Sequence, residues 1–198
     1  VDLGELVFQS VRMLRRLIPE NVRLVYDSPA HPVHVELDAP QFEQVLINLC
    51  VNARDAIDGI GKIRVTVAGV AAPKGPTDRW VALSVADTGC GMSESVASHL
   101  FEQFFTTKPG GRGTGLGLSM AHAIVSSYGG LLRVETAEGR GTTMTVLLPS
   151  ADGPSDVLER QASVELAQCA SRGEILVAEA EPSVRQIAVR TLAQAGFD

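Results

Sequence analysis

The sequence predicts an α/β chain of the mixed, α+β kind, and three observations carry that expectation. Apolar residues recur at helical spacing in several stretches, β-branched residues cluster in short strand-like runs, and seven glycines crowd the segment 87–117 just ahead of a helix. Over 198 residues, 45% hydrophobic and 20% charged, such a chain can bury a core without covalent staples. Collagen, coiled coil and general disorder are excluded.

Leu3, Leu6, Val7, Val11, Leu14 and Ile18 mark an opening amphipathic helix that Pro19 stops. Residues 22–26 and 33–37 alternate apolar and polar positions around Ser28-Pro29-Ala30-His31-Pro32, which predicts a strand pair or two edge strands. Asp38-Ala39-Pro40 supplies a cap and a proline just inside the start of a second helix that reaches Gly59 or Gly61. Strands are expected at 63–70 and 80–86, separated by the turn-like Pro73-Lys74-Gly75-Pro76. A short helical pattern covers 94–101, and a longer helix runs over 114–128 until Gly129-Gly130. Residues 131–136 and 142–148 form a hairpin across Glu138-Gly139-Arg140-Gly141. The expected organisation is a domain over 1–150, a linker or loose helix over 151–172, and one strand plus one helix over 173–198.

The formal net charge of -6 argues against a nucleic-acid partner, because affinity for phosphate backbones comes from Lys and Arg. Residues 1–150 carry 13 Lys+Arg against 15 Asp+Glu, so this part is nearly neutral and suits a polyanion better than the whole chain does. Cys50, Cys90 and Cys169 form no CxxC pair and lie near no histidine at ligand spacing, so neither a disulfide framework nor a zinc site is indicated. A reducing, cytoplasmic setting fits. No apolar run approaches the roughly 20 residues of a membrane span, so no direct membrane contact is expected. The start at Val1, without a secretion signal, reads as a piece of something longer.

Three constellations carry chemistry. On the second helix Gln44, Asn48, Asn52 and Asp55 fall within about 80° of one another, opposite Val45, Leu46, Leu49, Ala53, Ala56 and Ile57. A solvated face favours Lys, Glu and Arg, whereas amides one turn apart offer neutral oxygens of the kind a hydrated Mg2+ accepts. Asp87-Thr88-Gly89-Cys90-Gly91-Met92 follows a buried-looking strand, where a carboxylate can accept from an exocyclic amine and glycines admit a flat ring. Gly111-Arg112-Gly113-Thr114-Gly115-Leu116-Gly117-Leu118-Ser119 runs into a helix, so its backbone N–H groups and the helix dipole make a phosphate site. It matches neither the P-loop nor the dinucleotide fingerprint. Between these lies Phe101 to Lys108, where Phe101 and Phe104 read as apolar anchors and Lys108 and Arg112 as cations able to swing onto a polyphosphate.

In order along the chain, EQVLINLCVNARDA (43–56), DTGCGM (87–92), FEQFFTTK (101–108), GRGTGLGLS (111–119), Gly129-Gly130 and GRGT (139–142) resemble the N, G1, F, G2 and late-glycine motifs of sensor histidine kinases, most of all the nitrogen-regulatory branch. The resemblance implies the GHKL ATP-binding fold shared with DNA gyrase: a two-layer α/β sandwich whose mixed β-sheet is covered on one face by helices. It implies ATP and Mg2+ as ligands. Asn52 would ligate Mg2+, and Asn48 would sit near the phosphates. Asp87 would accept from the adenine amino group, with Gly89, Gly91 and Met92 at the base. Gly113, Gly115 and Gly117 would let a lid wrap the triphosphate, adjoined by Thr114, Leu116 and Leu118. Lys108 would reach the γ-phosphate, while Asp55, Phe104, Thr106, Thr107, Arg112 and Thr142 would complete the surroundings. Gln103 stands where many members have Pro, implying a looser lid, and Asp55 where other branches have a phosphate-directed Lys. Arg54 lies about 160° from Asn52 on an ideal helix and is a poor substitute for that cation.

In the ATPase members of the superfamily a glutamate one turn before the metal asparagine activates water; here that position is Asn48, which cannot serve as a general base. Transfer to a positioned acceptor is therefore expected over hydrolysis, with an ATPase-type switch or a degenerate nucleotide-binding scaffold as alternatives. The acceptor implied by the resemblance is a histidine on an upstream dimerisation module, since none of His31, His34, His99 and His122 stands in that context. The fragment would be monomeric and its parent a homodimer. Residues 173–198, from Gly173-Glu174-Ile175-Leu176-Val177 to Ala195-Gly196-Phe197, resemble the first strand and helix of a response-regulator receiver domain, with Glu179 and Glu181 in place of its acidic run and its phosphorylated aspartate beyond Asp198. A receiver is thus an expected partner, in a hybrid kinase.

Overall fold

The computed structural model describes residues 1–71, 79–107 and 114–151. The turn at 73–76, the linker and the receiver-like stretch therefore lie outside the described residues, apart from Ala151.

Helix α1 (Leu3–Leu14) starts where the Asp2 carboxylate accepts from the backbone N–H of Gly4 and Glu5, satisfying donors that the first turn leaves open. It buries Leu3, Val7, Val11 and Leu14. The helical spacing extended to Ile18, yet the helix ends a turn earlier. Arg16 and Leu17 bond three residues back instead of four, and Pro19 disfavours helical geometry in the residue before it. Strand β1 (Val22–Asp27) follows. Helix α2 (Ala39–Asp55) is capped by the Asp38 side chain on Gln41 N–H at 2.9 Å, with Pro40 in the first turn, and buries Phe42, Val45, Leu46, Leu49, Cys50 and Ala53.

Strands β2 (Gly61–Ala71) and β3 (Arg79–Asp87) lead through the short α3 (Glu94–Ser98) to α4 (Gly117–Ser127), and the hairpin β4 (Leu131–Ala137) and β5 (Gly141–Pro149) closes the domain. The sheet order is β1-β2-β3-β5-β4. β1 and β2 are parallel, a pairing that needs the long crossover α2 supplies, and the other neighbours are antiparallel. The expected strand at 33–37 is not one. Its only bridge among the described residues joins His34 to Asp2, flanked by Leu3 N–H on Val33 carbonyl and Val35 N–H on Val1 carbonyl, so this stretch pairs with the residues ahead of α1. β1 does lie at the sheet edge, but its partner is β2.

Alternate residues of the central strands, Ile63, Val65 and Val67, then Val81, Leu83 and Val85, then Met144, Val146 and Leu148, meet the buried faces of α1, α2 and α4 in one core. The opposite face carries small and hydroxyl side chains, among them Ser84 and Thr145 in contact at 3.1 Å. Helices α2 and α4 lie antiparallel. Asn48 of α2 meets Gly117 at the start of α4, while Tyr128 just past its end bonds Asp38 N–H and Gln41.

Candidate functional site

Two polar groups define the site, and α2 carries one of them. Asn48 and Asn52 are half-buried on a single stripe, with Gln44 and Asp55 more exposed at its ends. Asn48 Nδ2 donates to the Gly117 carbonyl at 3.0 Å, while its Oδ1 accepts from Gln44 Nε2 at 3.1 Å. The amide face is thereby tied to the start of α4. The Arg54 guanidinium is held by Asp55 at 2.6 Å and by the Leu17 carbonyl.

The other group is Asp87, at the end of β3. Its Oδ1 accepts from Gly89 N–H at 2.8 Å and Thr142 N–H at 3.2 Å, whereas Oδ2 takes no hydrogen bond among the described residues. Burial raises its carboxyl above the ordinary value, and the two N–H donors oppose that shift. A half-buried carboxylate with one oxygen saturated by backbone presents the other as an acceptor.

The loop after Asp87 is folded onto its neighbours by backbone contacts only glycine permits. Gly91 has φ +66 and approaches the Ala137 carbonyl so closely that no side chain fits, and Gly89 lies against the carbonyl of Ala56, which accepts from Cys90 N–H at 2.9 Å. Ala56 is one turn beyond Asn52, so the carboxylate loop is fastened to the helix that carries the amides. Met92 N–H donates to Thr136 Oγ1 at 2.9 Å, and Thr136 touches the buried Thr142 hydroxyl at 3.0 Å. Met92 also lines an open cleft between α3 and β4.

Phe101 packs against the core and stacks on His122 with ring centroids 5.1 Å apart, as its apolar character predicts. Phe104 does not. It is 72% exposed with φ 67, and its N–H bonds the Gly115 carbonyl at 2.9 Å, its backbone standing where a side chain on Gly115 would have to go. The Phe104–Gly115 contact joins the described ends of the glycine-rich segment. Thr106, Thr107 and Thr114 are exposed, Leu116 and Leu118 half-buried, and Lys108, Arg112 and Gly113 lie outside the described residues. α4 begins at Gly117 without a side-chain cap, leaving first-turn N–H groups for another acceptor.

Three contributors had no role assigned from sequence. Thr136 was legible, because a hairpin centred on Gly139 pairs it with Thr142. Ala56 follows Asn52 at helical spacing. Gln44 stood in the polar stripe, but its bond to Asn48 depends on a rotamer that spacing does not specify.

This arrangement of sheet, helix layer and glycine-lined loops is that of a nucleotide-binding α/β sandwich. The family model for the histidine kinase-, DNA gyrase B-, and HSP90-like ATPases matches residues 37–152, and the chain belongs to that family. Within it, the chain is the ATP-binding catalytic domain of a two-component sensor kinase. It is 34% identical to the sensor kinase CckA of Brucella abortus over 213 aligned residues, covering 100% of this chain and 22% of that one. With the sensor histidine kinase ZraS of Escherichia coli K12 it shares 34% identity over 75% of its own length and 30% of the relative's. The chain thus spans less than a third of these relatives. The solved catalytic domain of histidine kinase ThkA superposes with TM-score 0.62 at 30% identity, covering 75% of this chain and 94% of that domain. Full-length ShkA in complex with AMPPNP shares the fold at TM-score 0.64 and 24% identity, covering 100% of this chain and 39% of that one. Among the described residues no helix is long and apolar enough to cross a membrane.

Proposed function

We propose that this domain holds Mg·ATP between the amide face of α2 and the Asp87 loop and presents the γ-phosphoryl group to a histidine of a dimerisation module elsewhere in a longer, homodimeric, cytoplasmically exposed kinase. The single observation that carries the reading is Asp87, whose Oδ1 is held by Gly89 and Thr142 while Oδ2 is left as an acceptor for the adenine amino group. Asn52 offers a neutral oxygen to Mg2+, and no group of three or more His, Cys, Asp or Glu among the described residues competes as a metal cluster. The metal, when bound, neutralises phosphate charge. Asn48 lies beside the phosphates, with Lys108 and the N-terminus of α4 as further phosphate contacts. The remaining residues carried over from the family motifs line the nucleotide in the same way.

Asn48 also favours transfer over hydrolysis. Its amide has no basic lone pair with which to deprotonate water, and both its ends are engaged. The phosphohistidine would then pass its phosphoryl group to the aspartate of a receiver domain, for which residues 173–198 supply a resemblance.

Equilibrium binding of a non-hydrolysable ATP analogue with Mg2+ tests the site, and the expected result is binding by the wild type that Asp87→Asn weakens. No binding by the wild type sinks the reading. Adding a dimerisation module in trans should yield an acid-labile phosphohistidine on that module. Steady phosphate release without acceptor would instead identify an ATPase-type switch.

A further inference from the structure

We infer that Gln44 is a positioning residue for phosphoryl transfer: it fixes the orientation of the Asn48 amide and, through it, the start of α4 against α2. The inference rests on the placement of Asn48 beside the phosphates proposed above. The Gly117 carbonyl can only accept, so the Asn48 amide must turn its NH2 toward α4 and its oxygen away. Gln44 stands one turn earlier and donates Nε2 to that oxygen at 3.1 Å. Two opposed hydrogen bonds therefore lock the amide plane, and a 180° flip would set oxygen against carbonyl and NH2 against NH2. Without Gln44 the Gly117 bond alone remains, and rotation about the terminal torsion is soft.

Gln44 itself is exposed and belongs to none of the buried clusters. An exposed pair of this kind contributes little to helix stability. Its removal therefore leaves the fold intact, which separates positioning from structural support. Geometry at a reacting phosphate is more demanding, because small misplacements of a contacting group cost large factors in rate.

The test compares wild type with Gln44→Met, which keeps length and loses the donor, Gln44→Glu, which presents an acceptor to an acceptor, and Gln44→Lys, which restores a donor. With saturating Mg·ATP, so that affinity cancels, transfer to the dimerisation module is expected to fall about tenfold in Gln44→Met, further in Gln44→Glu, and to recover in Gln44→Lys. Unfolding midpoints of the four proteins should coincide. Independently of any activity, the Asn48 side-chain NH2 signal in nuclear magnetic resonance should exchange with solvent faster in Gln44→Met than in wild type. If wild type binds no nucleotide, the functional reading fails while this exchange comparison still decides the role of Gln44. Equal exchange, or equal transfer at saturating nucleotide, in wild type and Gln44→Met overturns the inference.

Discussion

Gly89 packs against Ala56 so tightly that a Cβ on the glycine would stand 2.5 Å from the Ala56 carbonyl oxygen and 2.8 Å from the Ala56 Cβ. The neighbour is helix-end backbone that already accepts from Cys90 N–H, so it cannot move aside cheaply. Gly89→Ala should destabilise the domain by about 1–3 kcal/mol, the usual range for overpacking. It should also displace the Asp87 loop from α2 and weaken nucleotide binding. Urea denaturation and analogue binding check both effects, and a variant with unchanged stability would show that the loop accommodates a methyl group.

Asp87→Asn should act on the ligand and spare the loop. The asparagine oxygen can still accept from Gly89 and Thr142, but an NH2 replaces the free carboxylate oxygen and faces another donor, the adenine amino group. Losing that acceptor and leaving donors opposed costs roughly 1–3 kcal/mol, or about 10- to 100-fold in affinity. Isothermal titration with the analogue measures it. Equal affinity in the two proteins would remove Asp87 from the base site.

The same carboxyl gives the unliganded domain a pH signature. Burial raises its pKa in the folded protein, so over the interval above the ordinary carboxylate value the folded state holds a proton that the unfolded chain has released. Stability then falls as pH rises through that interval and is constant beyond it. Asp87→Asn lacks the penalty. Its stability relative to wild type should therefore grow from acid pH upward and level off once Asp87 is ionised in both states, as urea titrations at a series of pH values would show. A difference that shrinks with rising pH would contradict the burial of this group.

Much of this fold is written in short-range patterns. Asp38 and Pro40 start α2 where cap chemistry places them, and the alternation of Val81, Leu83 and Val85 identifies a strand with one buried face. Residues 33–37 show the same alternation, yet whether an extended segment joins a sheet depends on which partner the chain brings alongside. Asn48 and Asp87 were legible as functional types, because carboxamides on a helix and a carboxylate at a strand end are unusual choices for plain surface. Phe104 was not legible as exposed. Its positive-φ backbone is bonded to and packed against Gly115, a neighbour eleven positions away that the sequence does not bring near.

Arg54 is the cation nearest in sequence to Asn52, and its partners remove it from the phosphates. Its guanidinium is engaged by Asp55 and the Leu17 carbonyl, and the pair is partly exposed, so screening leaves it worth no more than about 1 kcal/mol. Arg54→Met should change analogue affinity by less than about twofold, a shift below the 1.4 kcal/mol that a tenfold change represents. A loss of tenfold or more would mean that the guanidinium leaves Asp55 and reaches the triphosphate when nucleotide binds.

The two described cysteines should differ in reactivity by their surroundings alone. Cys50 is fully buried among the apolar residues of α2, and desolvation pushes its thiol up to about 12. At pH 8 its thiolate fraction is then roughly one in ten thousand, and reagents have no path to the sulfur. Cys90 is exposed on the Asp87 loop. Brief iodoacetamide treatment of the folded protein followed by peptide mass spectrometry should find the Cys90 peptide alkylated and the Cys50 peptide unmodified, with Cys50 reacting only after denaturant is added. Labelling of Cys50 at a rate comparable to Cys90 would mean that α2 opens from the sheet under native conditions, and the rigid amide face on which the site depends would go with it.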